Sequence, residues 1–129
     1  MKIVVLLGRF LFAGTFLLFG PMHFTHALRA YAASAGVPMA SSAVPIAGVL
    51  CILGALSVLL GYKAKIGVWF LVLFLIPVTL FMHNFWAVHD PMMRQMQMAN
   101  FFKNLSMLGG ALLIAYFGSG PFSLDGSGK

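Results

Sequence analysis

Six side chains able to form hydrogen bonds or stack on a ring lie at the ends of apolar segments: His23, His83, Asn84, Trp86, Lys103 and Asn104. Imidazole, ammonium and amide groups donate hydrogen bonds to carbonyl or phenolate oxygens, and an indole offers a flat apolar surface. Such a set fits a quinone or another amphipathic molecule that enters from the lipid. We predict that these six residues bind a ligand of this kind. The alternative is an interfacial belt, since Trp, His and Lys are common at membrane surfaces.

Metal ligation is a weaker interpretation of the histidines. His23 and His26 are three residues apart, and His83 and His89 are near in sequence. No carboxylate-rich or thiolate-rich set joins them, so no zinc, iron or manganese site is predicted. Haem held by His23 and His83 is geometrically conceivable, but ligand identity alone is a weak argument, and we do not expect haem.

The composition indicates an integral membrane protein of one domain, residues 1–129. The chain is 61% hydrophobic and only 8% charged, with a mean hydropathy of +0.99, whereas a soluble domain has about 25% charged residues. The net charge of +6 suits contact with anionic lipid headgroups. The sequence has no cluster of basic residues that would indicate binding to nucleic acid. Because Cys51 is the single cysteine, a disulfide within the chain is excluded.

Four apolar segments predict an all-α fold, a membrane-spanning four-helix bundle that runs up, down, up and down. A helix needs about 20 residues to cross the hydrocarbon core, and about 17 can suffice. The predicted spans are residues 3–22, 44–60, 66–83 and 91–117. In the last one the apolar segment is 101–117, and 91–100 is an interfacial lead-in, so Lys103 and Asn104 lie at the start of the apolar part. The turn at 61–65 is so short that the helices flanking it must be antiparallel neighbours. Asp90 followed by Pro91 is typical of a helix start. Residues 27–35 favour a short interfacial helix. Residues 118–129 are predicted to form a flexible tail that begins with an ordered turn.

One face of the first span carries a charge. Residues at intervals of three and four share a helix face, and here they are Arg9, Ala13, Phe16, Gly20 and His23. A charge in a span faces the bundle interior by default, although Arg9 is close enough to the membrane surface to extend toward it. The acidic side chains number only two, Asp90 and Asp125. We therefore predict that the tail folds back and that Asp125 pairs with Arg9 or Lys63, so that Arg9 and Asp125 are structural polar residues.

The distribution of basic residues predicts the orientation. One side of the membrane would hold both termini and the 61–65 turn, with Lys2, Lys63, Lys65 and Lys129. The other side would hold Arg29, Arg94 and Lys103. Because Lys and Arg are enriched in cytoplasmic segments, this bias favours cytoplasmic termini.

Several short motifs resemble the DoxX family of small four-helix bacterial membrane proteins. They are Gly8-Arg9-Phe10-Leu11, His83-Asn84-Phe85-Trp86, Phe102-Lys103-Asn104-Leu105 and Gly120-Pro121-Phe122-Ser123-Leu124-Asp125. The resemblance implies an inner-membrane bundle with respiratory or redox associations, which makes other subunits of a redox complex, or a second copy, the expected partners. An accessory subunit that binds a quinone-like molecule near the outer face is then expected, rather than a complete enzyme. The alternative is a structural or assembly protein that docks a partner and has no ligand of its own.

Overall fold

A computed structural model describes residues 1–126. In that part of the chain all regular structure is helical, with no strand. The α-helices are α1 (Lys2–Phe19), α2 (His26–Ser34), α3 (Ala40–Leu60), α4 (Ala64–Met82) and α5 (Pro91–Phe117), and short 3₁₀ turns cover Gly20–Phe24 and Phe85–Ala87. Within residues 1–126, four helices, α1, α3, α4 and α5, are long and apolar enough to cross a bilayer. The predicted all-α membrane-spanning bundle is therefore confirmed.

Two spans have boundaries that differ from the sequence-based expectation because of proline. Pro21 has no N–H to continue the α-helical hydrogen bonds, so α1 ends at Phe19 and the chain tightens into a 3₁₀ turn. Conversely, α3 begins at Ala40 and includes Pro45, which we had placed at the start of the span. At that position proline removes one backbone hydrogen bond without ending the helix.

The start of α5 follows the predicted pattern. The carboxylate of Asp90 accepts a hydrogen bond from the backbone N–H of Met93 at 3.0 Å, and Pro91 is the first helical residue. Proline is tolerated there because the first N–H groups of a helix have no partner within the helix. The helix then runs unbroken to Phe117.

Small residues let α3 and α4 pack closely. A Cβ atom added to Gly54 would lie 2.8 Å from the side chain of Leu71, and one added to Gly67 would overlap the hydroxyl of Ser57. Close approach of this kind drives helix association in membranes, where burial of apolar surface gives little advantage. The backbones of α1 and α5 approach each other less closely than those of the pairs α1–α3, α3–α4 and α4–α5.

The segment after α5 folds back onto the α3–α4 turn. The N–H groups of Leu124 and Asp125 donate to the carbonyls of Leu60 and Gly61, at 3.1 and 2.8 Å. Residues 118–126 are thus held against the bundle, in the part of the tail where an ordered turn was expected, while 127–129 lie outside the described residues. The predicted return of the tail is confirmed as far as residue 126.

The partners of Arg9 and Asp125 differ from the prediction. Arg9 is buried, 5% exposed, and donates to the carbonyls of Ser119, Pro121 and Phe122 at 2.9, 3.1 and 2.6 Å. The Asp125 carboxylate instead accepts from the backbone N–H groups at the start of α4, at 2.8 and 3.3 Å. Asp125 therefore does contact Lys63, one of its two predicted partners, but through the backbone N–H of Lys63 and not its ammonium, because unpaired N–H groups at a helix start attract the carboxylate. The predicted pairing of Asp125 with Arg9 is wrong.

Candidate functional site

A cavity of about 400 Å³ lies among the helices at the end of the bundle opposite the tail. Four of the six predicted ligand-binding residues line it, namely His23, His83, Lys103 and Asn104. They come from the turn after α1, the end of α4 and the middle of α5. The volume is within the range of about 300–1,000 Å³ typical of small-molecule sites.

His23 is held in place by its own turn and by an aromatic ring. Its Nδ1 lies 3.0 Å from the carbonyl oxygen of Gly20, and because a carbonyl only accepts, Nδ1 is the donor. The ring packs edge-on against Phe74 at 5.2 Å between centroids. In neutral His23 the other nitrogen, Nε2, is then an acceptor.

His83 is fixed by a side chain from α5. Its Nδ1 lies 2.8 Å from Oε1 of Gln97, and Nε2 of Gln97 lies 3.5 Å from the hydroxyl of Tyr31. Since an amide oxygen only accepts, Nδ1 is again the donor. The chain of contacts joins α2, the end of α4 and α5 at one level, which defines the rim of the cavity.

Lys103 and Asn104 bring the strongest hydrogen-bond donors to the cavity. Asn104 is 5% exposed, and no side chain or backbone group among residues 1–126 hydrogen-bonds with its amide. Lys103 is more exposed and also forms no ion pair within the described residues. Because both side chains line the cavity, and the amide of Asn104 is not among the fully enclosed polar groups, these two positions are suited to a polar group from outside the chain.

Asn84 and Trp86 do not line the cavity. Trp86 follows His83 by three residues and would share its face only on a continuing helix, but α4 ends at Met82 and His83 leaves the helical conformation. Trp86 is instead 54% exposed and packs edge-on against Phe85 and Phe101. Asn84 precedes the 3₁₀ turn, where its carbonyl accepts from the N–H of Ala87 at 3.0 Å.

The cavity walls are apolar and reach the outer surface of the bundle. Phe16, Phe74 and Leu75 form buried wall surface, whereas Phe19 and Phe81 are also exposed on the outside of the bundle. Toward the tail the gap between α1 and α5 is closed, because the ring of Phe12 lies directly over Gly110. A molecule with an apolar part can therefore reach the cavity from the hydrocarbon of the membrane.

The sequence did not predict two residues of the site, Tyr31 and Gln97. Gln97, Asn104 and Ala111 recur at seven residues and so share a helix face, and the last two are buried. That spacing is the signal that would have placed Gln97 inside the bundle. Tyr31, on the short α2, had no comparable signal.

No group of three or more His, Cys, Asp or Glu side chains that could hold a metal comes together within residues 1–126.

Comparison with known proteins assigns the family. The model of the SURF4 family matches residues 37–129. The chain belongs to the SURF4 family. This SURF4-family chain is 32% identical over 95 residues to the inner membrane protein YphA of Escherichia coli, covering 74% of the chain and 67% of YphA. No solved structure matches it significantly.

A eukaryotic protein is also similar. The ER-derived vesicles protein ERV29 of Saccharomyces cerevisiae is 34% identical over 77 residues, which is 60% of the chain but only 24% of ERV29. The chain is thus an integral, multi-pass membrane protein of the SURF4 family. The resemblance to the DoxX family is wrong, because the matching family model is that of SURF4. The expected redox association came with that resemblance and has no support from these relatives.

Proposed function

We propose that the protein binds an amphipathic molecule from the membrane in the cavity between α1, α3, α4 and α5. The observation that carries this proposal is the cavity itself, with apolar walls and four polar side chains, His23, His83, Lys103 and Asn104, at one end. Convergent polar groups in an otherwise apolar cavity are typical of a site for a molecule with a polar head and an apolar body. A quinone is one such molecule, with carbonyl oxygens that accept from Lys103 and Asn104.

The test is a titration of the purified protein with decylubiquinone, oleate and oleyl alcohol, with the melting temperature as the readout. A ligand that binds only the folded protein raises this temperature as its concentration rises. Ala47 lines the cavity, so Ala47→Phe should fill it and remove the response. Val49 on the same helix is exposed and outside the cavity, so Val49→Phe is the matched control. If none of the three ligands stabilises the protein, or if both variants respond alike, the proposal is wrong.

The alternative, a structural protein that docks a partner, rests on a different surface. Phe85, Trp86, Phe101 and Phe102 form a cluster of ring contacts, of which Trp86 and Phe102 are exposed. Exposed aromatic side chains at a helix end fit either a membrane interface or a protein partner. A stable partner that copurifies with wild type and with Ala47→Phe, but not with Trp86→Ala, would favour this function.

We further propose that the protein lies in a bacterial inner membrane with both termini in the cytoplasm. The inner-membrane location that is part of the name of YphA supports the proposed inner-membrane location of this protein. The basic residues Lys2, Lys63 and Lys65 on the tail side support the orientation.

A further inference from the structure

Lys103 is a cation at the cavity for which the described chain provides no carboxylate. The acidic side chains are Asp90 and Asp125. Asp90 accepts from Met93 N–H at 3.0 Å at the start of α5, and Asp125 binds the start of α4 at the far end of the bundle. Both acids thus already bind helix starts, and no ion pair forms within residues 1–126.

The depth of Lys103 makes an isolated charge there unfavourable. The contact between His83 and Gln97 fixes the level of the rim, and Lys103 follows Gln97 by six residues on α5. At a rise of about 1.5 Å per residue, its Cα lies about 9 Å deeper than that of Gln97. Helical side chains lean toward the N-terminus, which directs the ammonium back toward the rim. The Cα of Lys103 thus lies inside the span and its ammonium nearer the rim, and an ionisable side chain carried by a span is retained in membrane proteins where it has a partner or a function.

Asn104 gives a second, independent indication of a polar ligand group. The residue is 5% exposed, and its side-chain amide lines the cavity and has no hydrogen-bond partner among residues 1–126. The amide NH₂ supplies two donors and the ammonium of Lys103 three. A negatively charged oxygen group accepts from both and also neutralises the cation, which a neutral carbonyl or hydroxyl does not.

We propose that the ligand of this cavity is an acidic amphipath, with a carboxylate or phosphate head bound by Lys103 and Asn104. Its hydrocarbon part lies against the apolar wall formed by Phe16, Phe74 and Leu75 and reaches the bilayer through the gap between α1 and α5. This inference rests on the proposed binding function and adds the charge of the head group to it.

The experiment measures displacement of radiolabelled oleate from the full-length protein in maltoside micelles. Competitors are oleate, oleyl alcohol, which has the same chain without the charge, and lysophosphatidate, which carries a phosphate. We expect the two acids to bind about ten-fold more tightly than the alcohol. The acid that competes better identifies whether the head is a carboxylate or a phosphate.

The variants assign the preference to Lys103. Lys103→Gln should abolish the difference between acid and alcohol, and Lys103→Arg should keep it. Arg94 is an exposed cation on α5 outside the cavity, so Arg94→Gln should leave the preference unchanged. A preference that persists in Lys103→Gln would overturn the inference.

The wild-type protein tests the preference for an acid directly. If the acid and the alcohol bind equally, the inference of an acidic head group is overturned. The proposed binding function still stands in that case if Ala47→Phe abolishes the binding of both. If radiolabelled oleate does not bind and none of the three competitors binds, the binding function is overturned together with this inference.

Discussion

At the scale of single residues, Arg9 shows how a charge is accommodated inside the bundle without an acid. Its guanidinium donates to the carbonyls of Ser119, Pro121 and Phe122. A planar group with five donors can hold several carbonyls at once, which a lysine ammonium does less well. The residue therefore joins α1 to the segment after α5, two parts of the chain that are more than 100 residues apart.

Replacing Arg9 by Leu should release the returning segment. Three carbonyls lose their donor, and a buried acceptor left unpaired costs about 1–3 kcal/mol. We expect lower stability and faster hydrogen exchange at the N–H groups of Leu124 and Asp125, measured by mass spectrometry. Lys2→Leu at the exposed start of α1 is the control. Unchanged exchange in Arg9→Leu would show that the segment is held by other contacts.

Gly61 is required for two reasons, its left-handed backbone conformation and the lack of space for a side chain. It ends α3 with φ at 66°, and a Cβ atom there would overlap the side chain of Ser123. We expect Gly61→Ala to lower the unfolding free energy by about 1 kcal/mol or more, because left-handed backbone is unfavourable for alanine. Gly8, with no atom near its added Cβ, is the matched position, where Gly8→Ala should be neutral or favourable. Chemical denaturation of both variants in detergent decides the point.

At the scale of elements, α4 begins with a cap supplied from elsewhere in the chain. Two of its first N–H groups bind Asp125, whereas α5 is capped by its own preceding residue, Asp90. A sequence pattern reveals a cap of the second kind. It does not reveal the first kind, which is why Asp125 was expected to pair with a basic side chain, whereas it binds the N–H groups of Lys63 and Ala64.

Asp125→Ala should therefore weaken both α4 and the tail. Loss of a helix cap costs about 1 kcal/mol, and the N–H groups of Leu124 and Gly126 should exchange faster as the segment detaches. Asp90→Ala removes a cap of the same type from α5, so it should lower the melting temperature without altering exchange in the tail. Equal exchange in the tails of the two variants would contradict this role of Asp125.

At the scale of the whole molecule, the order of the helices leaves an opening. α3 packs on α1 and α4, and α5 packs on α4, while the backbones of α1 and α5 stay further apart. Phe12 over Gly110 closes this gap only toward the tail. The cavity is thus a consequence of how the four spans pack, and no single helix encodes it.

Reporter fusions test the orientation of the whole bundle. Alkaline phosphatase joined after Gly36, between α2 and α3, should be active in a bacterial host, because that side is predicted to face the periplasm. Fusions after Tyr62 and after Gly126 should be inactive, and green fluorescent protein should show the reverse pattern. Activity after Tyr62 would place the basic turn outside and contradict the assignment from Lys63 and Lys65.

The sequence by itself determined the all-helical class, the four spans and the inward face of α1, because the length and spacing of apolar residues are local properties. Those same properties predicted that His23, His83, Lys103 and Asn104 would lie near the same end of the bundle. Tertiary structure alone decided that they line one cavity, that Trp86 lies outside it, and that Arg9 binds carbonyls rather than Asp125. These outcomes depend on where α4 ends and on which helices leave a gap, and both are set by contacts between residues far apart in the chain.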